Sequence, residues 1–124
     1  MIPEVEKWWK QAKRDLKSAK NSFKSKDYYV SSLLAQQTVE KALKALYIKK
    51  FNELIKTHDL VFLANKLKLS ERFIELCDKL DKVYVMTRYP DASGKLPFQT
   101  FSKEDSLNDI KIAEEIVRWI KKEI

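Results

Sequence analysis

Apolar residues recur at intervals of three and four along most of this chain, the spacing that lines one face of an α-helix. From Glu4 to Lys26, Val5, Trp8, Trp9, Ala12, Leu16, Ala19 and Phe23 form such a stripe, and Pro3 suits a helix start, where its missing N–H costs nothing. The other face carries Lys7, Lys10, Lys13, Arg14, Lys17, Lys20 and Lys24. A second helix is expected to run from Asp27, its cap, to about Lys50. Its opening turns, Tyr28 to Ala35, are apolar almost all round apart from two serines, which predicts burial by several neighbours or by a second subunit. After Ala35 the stripe narrows to Val39, Ala42, Leu43, Leu46 and Tyr47. Gln37, Lys41 and Lys44 share a different side, and Glu40 is placed to pair with Lys44 one turn later.

Thr57 is the expected cap of a short helix containing Leu60, Phe62, Leu63 and Leu67, and Ser70 the cap of the next. That helix buries Phe73, Leu76, Cys77, Leu80, Val83 and Tyr84 and should end near Arg88, because Pro90 disfavours helical geometry at Tyr89. The connection from Arg88 to Ser102, RYPDASGKLPFQTFS, holds the only glycine and two of the three prolines. Loops this long inside a helical domain are often functional. Ser102 and Asp105 form a capping box for a last helix with the stripe Leu107, Ile110, Ala113, Ile116, Val117 and Ile120. The expected fold is all-α, an up-and-down bundle of four main helices plus one short one, in a single domain over residues 1–124.

Composition narrows the chemistry. One glycine in 124 residues argues against hairpin-rich folds and against phosphate-cradling P-loop or Rossmann turns. One cysteine, Cys77, excludes an internal disulfide and reads as a core thiol; one histidine, His58, excludes a site needing two imidazoles. No metal and no cofactor is expected. The longest apolar run, Leu60 to Ala64, is far too short to span a bilayer and no signal-like segment leads the chain, so a cytoplasmic protein without membrane association is expected. The net charge of +7 is uneven: residues 1–56 carry 13 basic against 6 acidic side chains, whereas the remainder balances at 12 and 12. The excess fits either a lysine-rich proteome or an anionic partner.

Individual residues admit structural and functional roles. Arg88 either complements the negative end of its helix or clamps a phosphate with its planar fork at the mouth of the bundle. Asp91 nucleates a turn or orients Arg88. Tyr89, Phe98 and Phe101 close the core or stack on a base. Lys41 and Lys44, with Glu40, form a solvated face or a phosphate-contacting rim, and Gln36 and Gln37 a polar layer at a subunit seam or a reader of a base edge. Glu114 and Glu115 point to different sides of their helix and make no carboxylate pair.

Three segments are more specific than any periodicity: AQQTVEKALKAL at Ala35 to Leu46, THDL at Thr57 to Leu60 and TRYPD at Thr87 to Asp91. In this order, after an N-terminal helix with Trp8 and AKRDL at Ala12 to Leu16, they resemble the HEPN domain family over nearly the whole chain. The resemblance implies a helical bundle that forms a homodimer, commonly encoded beside a minimal nucleotidyltransferase as toxin and antitoxin or as a nucleotide-handling pair. Several HEPN lineages are metal-independent ribonucleases whose signature is an Arg followed four to six residues later by His. Arg88 stands where that arginine is expected, but Ser93, Gly94 and Lys95 stand where the histidine would be. His58 looks like the family's structural His-Asp position, leaving Lys95, Asp91, Tyr89 or His58 itself to move a proton.

The leading expectation is therefore a binding module: a HEPN homodimer that partners a minimal nucleotidyltransferase and holds a nucleotide or RNA phosphate near Arg88, with Tyr89, Asp91, Lys41 and Lys44 as further contacts. The alternative is a divergent RNA endonuclease toxin that uses Arg88 for transition-state charge and His58, Lys95 or Asp91 as proton carrier. A second alternative is non-specific binding of single-stranded RNA by the basic first helix, with Trp8 or Trp9 as an aromatic contact.

Overall fold

The amphipathic stripe of the N-terminal segment becomes helix α1, Pro3–Lys24, with Val5, Trp9, Ala12 and Ala19 buried along it. Lys26, at a φ of 63°, reverses the chain into α2, Tyr28–Phe51. Asp27 takes the cap position without making a side-chain cap bond. The computed structural model describes residues 1–91 and 94–124; Ser93, one of the positions where the signature histidine was sought, lies outside the described residues.

Helix α2 is the hub, and it packs against α1 and against the later helices α3 (Leu60–Lys66), α4 (Glu71–Arg88), α5 (Pro97–Thr100) and α6 (Lys103–Glu123). This accounts for the nearly all-round apolar opening turns: Ser31, Ser32 and Ala35 are buried by neighbours within the same chain. The two serines are satisfied there, Ser31 Oγ donating to the Ala19 carbonyl at 2.9 Å and Ser32 Oγ lying 3.0 Å from Ser106 Oγ. Asn52, at a φ of 54°, ends α2. Lys68, at 57°, follows α3, so among the described residues three non-glycine side chains sit on the left-handed backbone that glycine would take more easily.

Helix α3, Leu60–Lys66, begins later than expected, because Asp59 and not Thr57 caps it, accepting from Phe62 N at 3.0 Å. Thr57 instead accepts from Asp59 N. The next two free amides of α3, Leu60 and Val61, donate to the Asp81 carboxylate on α4 at 2.8 and 3.1 Å. Helix α4, Glu71–Arg88, is capped by Ser70 and gives way at Tyr89 to extended backbone before Pro90, as the proline requires. The Arg88–Ser102 connection is not wholly irregular: Pro97–Thr100 form a one-turn helix, α5, a second short helix that the periodicity did not reveal. Helix α6, Lys103–Glu123, opens with the Ser102/Asp105 capping box.

The ends of these helices give their directions. Ser106, at the start of α6, donates to the Tyr28 carbonyl at the start of α2, while Lys49, near the end of α2, donates to the Glu123 and Ile124 carbonyls. Thus α2 and α6 run one way. Helix α1, which turns back into α2, and α4, whose Arg72 meets Glu115 near the far end of α6, run the other. The result is the expected all-α, up-and-down bundle, and no described helix is long and apolar enough to cross a membrane. Its core is built on Leu43, Leu46, Leu60, Leu63, Leu80, Ile116 and Ile120. Cys77 lies in it, and burial pushes its thiol up to about 12, so it is a packing residue.

Candidate functional site

The last turn of α4 places Arg88 one turn beyond Tyr84, and the guanidinium carbon lies 4.3 Å from the centre of the tyrosine ring. A planar cation is held over such a ring by its quadrupole without being neutralised. The same ring receives His58 from the loop between α2 and α3, with ring centroids 4.6 Å apart and planes inclined by 22°. Side chains from two segments remote in the chain therefore both contact the Tyr84 ring.

Behind His58 the site is anchored in the core. Its Nδ1 lies 2.9 Å from Glu40 Oε1, and the other oxygen of Glu40 accepts from Lys44 Nζ at 3.1 Å. Glu40 and Lys44 are only 3% and 6% exposed, so this is a buried ion pair, which holds only if its remaining bonding capacity is met. It is met by Gln36 Nε2, 3.4 Å from Glu40 Oε1; by Gln37, whose amide donates to Gln36 Oε1 at 2.7 Å; and by the Trp8 ring, 5.4 Å from the Lys44 ammonium. A carboxylate can only accept, so His58 carries a proton on Nδ1, and in the neutral form of the ring Nε2 is the acceptor. The His58 side chain is 56% exposed, which leaves that edge open to solvent. Beside it, Trp8, Lys44, Leu54, Lys56, Thr57 and His58 border a cleft of about 320 Å³.

Several expected contacts lie elsewhere. Lys41 is bound to Asp15, itself buried and also held by Gln11, and so is not a free phosphate ligand. Lys44 is no solvated rim residue but the buried half of the pair with Glu40. Gln36 is wholly buried within this one chain, where its amide serves Glu40 and cannot face a subunit seam. Asp91 stands exposed in a turn, and among the described residues no carboxylate pairs with Arg88. Lys95 is exposed in the following bend. Tyr89 and Phe98 do not close the core, being 51% and 60% exposed, while Phe101 packs against it. Trp9 is buried and Trp8 half-buried, so neither offers an open face on the basic side of α1.

Sequence reasoning missed Tyr84 as a site residue because it falls on the inward stripe of α4. The available signal was its position one turn before Arg88, the spacing at which helical side chains meet.

Comparisons with known proteins give the family and the fold. The model of the HEPN domain matches residues 5–124. A protein of Methanocaldococcus jannaschii named "Putative toxin MJ1304" is 32% identical over 127 aligned positions, covering 90% of this chain and 82% of that protein. Among solved structures, TT1696 from Thermus thermophilus superposes with a TM-score of 0.91 at 25% identity, covering 99% of this chain and 100% of the other. ST0689, described as an archaeal HEPN homologue, gives 0.79 at 30% identity over 96% of each chain. Sequence match and bundle together place this chain in the HEPN domain family.

Proposed function

We propose that this HEPN protein is the toxin-like member of a two-component module, and that it holds the phosphate of a nucleotide or of single-stranded RNA at Arg88. The observation that supports this most strongly is the arginine itself: a guanidinium ordered on the Tyr84 ring, with no carboxylate to neutralise it among the described residues. Such a group keeps its donor fork for an external anion. Lys56, which borders the same cleft as His58, adds a positive charge nearby. The exposed apolar residues at the end of α4 and in the connection after it, namely Val85, Tyr89, Leu96 and Phe98, suit a homodimer contact, and a minimal nucleotidyltransferase in the cytoplasm belongs to the same reading as its partner. Fluorescence polarisation with labelled single-stranded RNA, in competition with ATP, tests the site. Arg88→Ala should weaken binding by about tenfold, the loss of one charge-assisted contact. Unchanged affinity would place the phosphate elsewhere.

One observation favours RNA cleavage as a second reading: His58 shares the Tyr84 ring with Arg88 and has its Nδ1 tied to Glu40. Nε2 can take the proton of a ribose 2′-hydroxyl as that oxygen attacks the adjacent phosphorus; the bond to the 5′-oxygen breaks, and the leaving oxygen takes a proton from solvent. Arg88 offsets the charge that builds on the phosphate. End-labelled RNA incubated with EDTA should then yield 2′,3′-cyclic phosphate ends with wild type and none with His58→Ala or Arg88→Ala. Binding without cleavage by wild type leaves the binding module alone.

A further inference from the structure

Trp8 has no open face on the basic side of α1, yet the core does not enclose it. Its indole is half-buried and borders the cleft of about 320 Å³ that His58 also lines. Leu54 and Ile55 add apolar walls, and Leu54 is left 52% exposed. Aromatic and apolar walls with a few polar groups beside them are the make-up of a small-ligand site. The segment that carries these walls is fixed before any ligand arrives. Asn52 turns the chain out of α2 at a φ of 54°, and Tyr47 Oη donates to the Glu53 carboxylate at 3.2 Å. Farther along, Thr57 Oγ accepts from Asp59 N at 3.1 Å and His58 is tied to Glu40. A ligand that enters here does not have to order the loop, which lowers the cost of binding.

Size and charge select the occupant. A volume of about 320 Å³ lies at the lower end of small-ligand pockets and gives room for one flat ring system, not for a helix of a partner protein. Lys44, the buried member of the lining, has its charge matched by Glu40, so the interior presents neutral surface. Lys56 is exposed and belongs to no ion pair among the described residues. Among the described residues no carboxylate lines this cleft, whereas the adjoining one that shares Trp8 and Leu54 includes Glu4. A neutral flat ring inside and an anion beside it is the pattern of a nucleotide. The cleft also lies close to Arg88, because His58 stacks at 4.6 Å on the Tyr84 ring that Arg88 contacts at 4.3 Å.

We propose that this cleft takes one base of a single-stranded RNA, stacked against the Trp8 indole, while a nearby phosphate of the same strand lies at Arg88. The proposal rests on the reading of Arg88 as a phosphate site and adds a base-dependent contact to it. Every base has a π-face, so the contact favours RNA over its bare backbone and does not select one base over another. Lys56 meets the backbone outside the cleft.

The test compares two single strands of about six nucleotides, one an RNA of mixed sequence and the other an abasic ribose-phosphate chain, by fluorescence polarisation and by 15N-resolved NMR of the tryptophan indoles. Wild type should bind the RNA about tenfold more tightly than the abasic chain, and the Trp8 indole N–H signal should shift with the RNA alone. Trp8→Leu should bind the two strands equally. Leu54→Asn, at an exposed position, keeps the test open should Trp8→Leu fail to fold, and should narrow the difference between the strands about threefold. Arg88→Ala should weaken both strands and keep their ratio. If Arg88→Ala changes neither strand while Trp8→Leu abolishes the ratio, the phosphate reading is refuted and the base site upheld. Equal affinity of wild type for the two strands, or a Trp8 signal that RNA does not move, overturns the base site and leaves Arg88 untouched. So does a wild-type dimer that Leu54→Asn dissociates, since the cleft would then belong to a second copy.

Discussion

Helix α4 carries an arginine at each end, and the two have opposite surroundings. Arg72 sits over the Phe73 ring and is spent on Glu115, bridging α4 to α6 with both arms of its fork. Arg88 sits over the Tyr84 ring with no carboxylate partner among the described residues, and the same ring stacks with His58, which is tied to the buried Glu40–Lys44 pair. Both guanidiniums rest on an aromatic ring, but only one is neutralised. A paired arginine on the surface is a strut of modest strength, whereas an unpaired one on a rigid platform is already ordered when an anion arrives and loses less freedom on binding. The tie through His58 reaches the core, so stability and binding are coupled at the Arg88 end and separate at the Arg72 end.

The largest expected effect comes from cutting that tie. Glu40→Ala leaves Lys44 buried without its counter-ion, a change that costs about 3 kcal/mol and should lower the urea midpoint sharply. It also frees His58 from its orienting carboxylate, so RNA affinity should fall with stability. A loss below about 1 kcal/mol would mean that the pair is not the anchor described.

A smaller effect should come from pH. Asp109, on α6 beside Ser32, and Asp81, on α4 facing the start of α3, are both pushed up to about 6 chiefly by burial, against an ordinary value of 3.8. Between those values the folded chain holds protons that the unfolded chain has released. These two groups therefore add stability as pH falls from about 7 toward about 4 and withdraw it as pH rises through about 6. Thermal melts of Asp109→Asn should show a flatter pH dependence over that range than wild type, and identical curves would remove Asp109 as a contributor. Asp109 is hydrogen-bonded to Ser32 and is no part of the Tyr84–His58–Arg88 cluster, so RNA binding by this variant should match wild type.

The smallest effect should be that of Arg72→Ala. Its pair with Glu115 is well exposed, so the expected loss is about 0.5 kcal/mol, near the edge of detection in a denaturation curve. A loss several times larger would show that the strut holds the α4–α6 contact closed.

Much of this molecule was legible in the sequence, and what was hidden has physical causes. Helices α1, α2, α4 and α6 follow from periodicity and from the caps Ser70 and Ser102, because these are local interactions. The start of α3 was misread since Thr57 and Asp59 both carry a side-chain oxygen suited to capping, and the choice depends on Asp81, 21 residues beyond Leu60. A single turn such as α5 is too short to show a period. Arg88 was visible as a charge at a helix end. Its relation to His58 was not, because only the packing of α3 and α4 against α2 brings the loop before α3 onto Tyr84. Lys44 looked solvated for a similar reason: Trp8 and the loop at Ile55 to His58, both remote in sequence, cover it.

The two arginines differ in being open to an anion, and one salt titration tests this difference. Binding of labelled single-stranded RNA is measured for wild type, Arg72→Ala and Arg88→Ala across ionic strength. Arg88→Ala should bind about tenfold more weakly, with a log–log salt slope shallower by about 0.7, the signature of one lost phosphate contact, while Arg72→Ala overlays wild type. Equal losses from both variants, or none from Arg88→Ala, would contradict the claim.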